Sequence, residues 1–103
     1  MELTPTSPIL SIIVPVKDEE VAIEAFVTRV SAVIESLSDA AAQSYEILFI
    51  DDGSTDQSLE NIKQARLENK QVQYLQFSKN FGHQYALKAG LDHARGAAVV
   101  SLD

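Results

Sequence analysis

The stretch YEILFIDDGSTD, residues 45–56, changes character in a single step. Residues 45–50 are mostly apolar and read as a short buried strand. Asp51, Asp52, Gly53 and Ser54 supply turn chemistry, and a helix marked by Leu59, Ile62 and Ala65 starts near Thr55 or Asp56. Two adjacent carboxylates at a strand end cannot both point one way. One can cap the helix or hold the loop while the other faces a ligand, because a carboxylate accepts hydrogen bonds from a base imide, an amine or a sugar hydroxyl. The alternative is a solvated turn that uses Asp, Gly and Ser for geometry alone.

The same strand-to-helix step recurs on both sides. ILSIIVPV, residues 9–16, is a β-branched run suited to a strand buried on both faces. Asp18 is placed to cap the next helix, and Glu19 and Glu20 suit its positive end. Ile23, Phe26, Val27, Val30, Val33, Ile34 and Leu37 then form one apolar stripe on a helix of about 18 residues. VQYLQF, residues 72–77, alternates like a half-exposed strand; Ala86, Leu87, Gly90, Leu91 and Ala94 mark a third helix, with Arg95 in its last turn and Gly96 beyond. AAVVSL, residues 97–102, is a fourth strand. The order β-α-β-α-β-α-β with short connections predicts a Rossmann-like α/β fold: a parallel sheet, helices on both faces, strand order 3-2-1-4.

Sheets of this kind bind ligands beyond the carboxyl ends of their strands. Those ends carry Pro15, Val16, Lys17, Asp18 and Glu19; Asp51 to Ser54; Ser78 to His83; and Asp103. The opposite-edge loops, SDAAAQS (38–44) and ENKQ (68–71), carry no such concentration. Lys17, Lys79 and His83 could neutralise a diphosphate or simply balance the nearby carboxylates. Asp103 is of the type that ligates Mg²⁺ or Mn²⁺, although hard cations take several oxygens. His93, on the third helix, reads as structural.

Composition narrows the class further. The 103 residues are room for one small domain, with residues 1–7 read as a flexible tail and 8–103 as the folded unit. A formal charge of -7, from 15 acidic and 8 basic residues, argues against nucleic-acid binding. The absence of cysteine excludes disulfides and thiolate metal sites. MELTPTSPIL lacks the basic and apolar regions of a signal peptide, and no run is long enough to span a bilayer. Gly53, Gly82, Gly90 and Gly96 fit neither G-x-G-x-x-G nor the P-loop, so any phosphate bound here relies on side chains and a metal.

The pieces SIIVPVKDEE (11–20), EILFIDDGSTD (46–56), LQFSKNFGHQYALKAGLDHARG (75–96) and AVVSLD (98–103), in that order, resemble the N-terminal half of family 2 glycosyltransferases of the GT-A fold. SKNFGHQYALKAGLDHA (78–94) resembles most the dolichyl- and polyprenyl-phosphate sugar synthases. The resemblance implies inverting transfer of a sugar from a UDP- or GDP-linked donor to a polyprenyl phosphate. It implies nucleotide-sugar contacts at Pro15, Lys17, Glu19, Ile50, Asp52, Ser54 and Lys79, with Asp51 bracing the loop and Asp52 reading the nucleoside. Lys17 and Asp18 stand where many members carry an aromatic residue and Asn. Asp103 matches the first Asp of D-x-D, the Mg²⁺ or Mn²⁺ ligand; the second Asp and the acceptor-side residues would lie beyond residue 103.

The resemblance further implies a donor-binding half, inactive alone, of an enzyme working at the cytoplasmic face of a membrane in cell-wall biogenesis. The Ala97–Leu102 strand, as an apolar sheet edge, predicts self-association. Three other readings compete. One is a receiver-like signalling module, which needs its Asp pair after the first strand. Another is a non-catalytic nucleotide-binding module ending at Asp103. The third is a family 2 enzyme with a polysaccharide or other cell-envelope acceptor.

Overall fold

The computed structural model describes residues 10–37, 44–96 and 98–102. The expected tail, residues 1–7, and Asp103 lie outside these. The elements follow in the predicted order: β1 (Leu10–Val16), α1 (Ile23–Glu35), β2 (Tyr45–Asp51), α2 (Ser58–Glu68), β3 (Val72–Gln76), α3 (His83–His93) and β4 (Ala98–Ser101). All strand pairs are parallel, and the sheet order is β3-β2-β1-β4, as expected.

Side-chain alternation along β2 separates two cores. Ile47 and Phe49 face α1 and α2, packing with Ile12, Val14, Ile23, Val27, Ile34 and Ile62. The Phe26 ring of α1 meets Phe49 edge-on at 6.0 Å. Leu48 and Ile50 face the other way and pack with Ile13 and Ala86 beneath α3. Helices therefore cover both faces. Gly90 lets α3 approach closely, since a Cβ there would lie 2.4 Å from Ile13 Cγ2 and 2.8 Å from Ile50 Cδ1. Each fully buried Ile or Phe contributes about 1.5–3 kcal/mol of hydrophobic stabilisation.

The helix boundaries depart from the pattern reading. α1 has 13 residues rather than about 18, and starts at Ile23 with Ala22 as an N-cap that makes no side-chain cap bond. Asp18 does not cap it, and Glu24 is the acidic residue of its first turn. A turn intervenes, closed by the Ala22 N–H on the Glu19 carbonyl at 3.0 Å. α2 likewise starts at Ser58, later than Thr55 or Asp56. α3 ends at His93, with Ala94 already extended, so Arg95 lies past the helix instead of in its last turn. Val33, Leu37 and Leu91, expected in apolar stripes, are 59%, 47% and 53% exposed. Among the described residues no helix is long and apolar enough to cross a membrane.

Candidate functional site

The parallel register aligns Val16, Asp51 and Gln76 at one level, so the loops after β1, β2 and β3 leave the sheet together. Carboxylates and hydroxyls stitch these loops into one body. Asp18, at φ 53, sits in the left-handed region that Asp tolerates better than most residues. Its Oδ1 accepts the Thr55 N–H at 2.7 Å, the Asp56 N–H at 3.3 Å and the Thr55 hydroxyl at 3.3 Å. In return the Asp18 N–H donates to Ser54 Oγ at 2.9 Å, the Glu19 N–H to Ser58 Oγ at 2.7 Å and the Glu20 N–H to Asp56 Oδ2 at 3.1 Å. The Asp18 carboxylate is thus occupied by the second loop's amides, which is why it is lost to α1 as a cap.

The second and third loops are joined just as tightly. Asp52, 4% exposed, accepts the Phe81 N–H at 2.8 Å and the Gly82 N–H at 3.1 Å. Gly53, at φ +69, lies so close to the third loop that a Cβ would be 2.4 Å from the Asn80 nitrogen. Any side chain at position 53 would push the two backbones apart.

The two aspartates at the tip of β2 go to opposite faces of the sheet, following the alternation of the strand. Asp52 turns toward α3 and lines a cleft of about 410 Å³ with Pro15, Val16, Lys17, Glu19, Asn80, Gly82 and His83. Asp51 is on the Phe49 side and lines a second cleft of about 410 Å³ that also includes Lys17, Ser54, Lys79 and Asn80. Both volumes fall in the range of small-molecule sites. Asp51 is 2% exposed, and its Oδ1 has no hydrogen-bond partner among the described residues. Asp52 thus fastens the second loop to the third, the task expected of Asp51, while still lining the first cleft.

The candidate residues are distributed as follows. Pro15, Lys17, Glu19 and Asp52 meet at the first cleft. Ser54 and Lys79 join Lys17 at the second. Ile50 lines neither; it is fully buried beneath α3, as its place between Phe49 and Asp51 in an alternating strand dictates. Asn80, shared by both clefts, was not singled out in the sequence, although its position after the third strand was the available signal. Asp103 lies outside the described residues, and among those described no group of three or more Asp, Glu or His is placed to hold a metal ion.

Electrostatics centres on Lys17. Its Nζ pairs with Asp18 Oδ2 at 2.7 Å, with both side chains partly exposed. This bond, together with attraction from Asp18, Asp52 and Asp51, raises the Lys17 ammonium above its usual range against the opposing effect of burial. The same bond from Lys17, then the Thr55 amide, pulls the Asp18 carboxyl down to about 2. Lys79 lies 5.3 Å from the centre of the Phe81 ring, a cation–π contact on the third loop. The edge thus offers two ammonium groups, the carboxylates of Glu19, Asp51 and Asp52, and several neutral polar side chains around two open clefts.

Comparison with known proteins agrees with this geometry. The family model "Glycosyl transferase family 2" matches residues 11–103. The chain is 42% identical over 93 residues to the uncharacterised glycosyltransferase YkcC of Bacillus subtilis (strain 168), covering 90% of this chain and 28% of that protein. It is 36% identical over 96 residues to an undecaprenyl-phosphate 4-deoxy-4-formamido-L-arabinose transferase of Aeromonas hydrophila, covering 92% and 28%. The chain thus spans less than a third of the length of these relatives. The mannosyltransferase PcManGT of Pyrobaculum calidifontis, solved in complex with GDP-Man and Mn²⁺, superposes with a TM-score of 0.68 at 22% identity, covering 87% of this chain and 26% of that one. With the family model matching nearly the whole chain and the sheet in the predicted order, the chain belongs to glycosyltransferase family 2 and carries part of a GT-A fold.

Proposed function

We propose that this chain is the donor-binding half of an enzyme that transfers a sugar, with inversion, from a UDP- or GDP-linked donor to a polyprenyl phosphate. The observation that carries the reading is the convergence of Pro15, Lys17, Glu19 and Asp52 on one cleft at the carboxyl edge, in a family 2 chain. In this reading the cleft takes the nucleoside, and Asp52 shapes it while holding the third loop. Lys17 and Lys79 draw the diphosphate to the edge, and Ser54 offers a hydroxyl at the neighbouring cleft. A Mg²⁺ or Mn²⁺ ion, held by Asp103 and a second Asp that this chain does not contain, would neutralise the leaving diphosphate. Two comparisons support the assignment: PcManGT binds GDP-Man and Mn²⁺, and the Aeromonas relative is named for an undecaprenyl-phosphate acceptor. A polyprenyl-phosphate acceptor would bring the enzyme to a membrane surface, and we propose the cytoplasmic face.

The test is transfer by the full-length protein, with UDP- and GDP-sugars offered against undecaprenyl phosphate, dolichyl phosphate and soluble glycan acceptors. Radiolabel entering the lipid fraction is the expected result. Label entering only polysaccharide would replace the acceptor and keep the family. Residues 1–103 alone are expected to transfer nothing, and turnover by them would refute the half-enzyme reading.

A second reading rests on β4. Among the described residues this strand pairs with β1 on one side only, and Val99 and Val100 are 40% and 46% exposed. Such an apolar edge promotes pairing with a second chain. The 103-residue chain is therefore expected to self-associate through the Ala97–Leu102 segment. Sedimentation as a monomer at high concentration would contradict it.

A further inference from the structure

We infer that Asp18 is a positioning residue with a separate task for each carboxylate oxygen. Oδ1 fastens the first loop to the second through the Thr55 and Asp56 amides. Oδ2 holds the Lys17 ammonium, standing in for the anionic part of the ligand until that ligand arrives. The inference rests on the reading of this edge as a nucleotide-diphosphate site and adds a determinant of its affinity.

Three observations lead there. Lys17 is the cation that lines both clefts. Around it stand Asp18, Asp51 and Asp52, all of which attract its charge. An acidic edge repels phosphate unless an ammonium can turn toward the ligand. Finally, the Lys17–Asp18 pair is open to solvent, with side chains 35% and 40% exposed, so it is the weak and exchangeable kind of ion pair. The amide contacts of Oδ1 are independent of it and stay in place when Lys17 leaves. A diphosphate therefore takes Lys17 from Asp18 without unfastening the loops, and the lost pair lowers its affinity.

The two tasks separate by substitution. Asp18→Asn keeps an acceptor for the Thr55 and Asp56 amides but puts an NH₂ where Lys17 now binds. Asp18→Ala removes both functions. In the full-length protein, with UDP and GDP as probes in Mg²⁺ buffer, Asp18→Asn is expected to tighten binding by about two- to five-fold at low ionic strength. That gain fades as salt screens the edge. Asp18→Ala is expected to weaken binding, and Lys17→Met to weaken it roughly ten-fold or more.

A purely structural Asp18 would give no opposition of sign between the Asn and Ala variants. If wild type binds and Lys17→Met weakens it, but Asp18→Asn brings no gain, the inference fails and the donor site stands. A gain that persists in the Lys17→Met background does not pass through Lys17 and also overturns it. If neither nucleotide binds any form, the donor-site reading falls and takes the inference with it.

Discussion

The amino edge of the sheet buries one carboxylate, Glu46, and the carboxyl edge two, Asp51 and Asp52; Glu46 and Asp51 are treated in opposite ways. At the amino edge Glu46, 2% exposed, accepts the Ser11 hydroxyl at 2.6 Å, the Arg95 N–H at 2.8 Å and the Arg95 guanidinium at 3.3 Å. Ser11 Oγ in turn accepts the Gly96 N–H at 2.8 Å, so the turn from α3 into β4 is held against β1 and β2. At the carboxyl edge Asp51 is equally buried, yet its Oδ1 has no partner among the described residues and it lines an open cleft. A buried charge is tolerated when it is hydrogen-bonded and is costly when it is not. Glu46 therefore belongs to the architecture, whereas Asp51 sits where the fold has left polar capacity unspent.

The largest effect should come from breaking the satisfied side. Glu46→Ala strands the Ser11 hydroxyl and the Arg95 amide, and is expected to cost about 3 kcal/mol, at the low end for a buried pair because Arg95 is half-exposed. A lowered denaturant midpoint measures it, and a shift under 1 kcal/mol would erase the contrast between the edges. Next comes Asp52→Ala, which frees the Phe81 and Gly82 amides at an expected cost of about 2 kcal/mol. Amide hydrogen exchange should quicken at those two positions and stay unchanged at Arg95. Asp51→Asn, on the unsatisfied side, is expected to be neutral or slightly stabilising, within about 1 kcal/mol. A large loss there would mean that Asp51 is structural like Glu46.

The smallest effect is a pH dependence carried by Asp18. Its folded pKa of about 2 lies below the ordinary value of 3.8. The unfolded chain therefore binds the proton first as pH falls, and the group's contribution, full above about pH 4, is lost as pH drops through about 2. Carboxyl-carbon NMR should show Asp18 titrating near 2, and Asp18→Asn should flatten that part of the stability curve.

The order of elements was legible because four apolar runs and three amphipathic stripes leave few topologies for a chain this short. What escaped the sequence were pairings across distance. Asp18 read as a helix cap because its nearest amides belong to α1; the amides it serves lie 37 and 38 residues on, in the second loop. Glu46 passed as one acid in an apolar run, since its partner Arg95 is 49 residues away. Ile50 could have been assigned to the core from parity alone, because it faces opposite to Phe49. The clustering of Pro15, Lys17, Glu19 and Asp52 followed from topology, whereas the split of the edge into two clefts required coordinates.

The opposed aspartates at the tip of β2 give that strand a property beyond its composition, namely odd or even length. Removing one residue between Tyr45 and Ile50 would bring Asp51 to the α3 side and send Asp52 to the other. The stretch would still read as apolar strand, two acids and glycine, yet the carboxylate that grips the third loop would face α2. Counting, as much as chemistry, is therefore written into this segment: a single-residue deletion in β2 should disarm the edge more thoroughly than a conservative change to either aspartate.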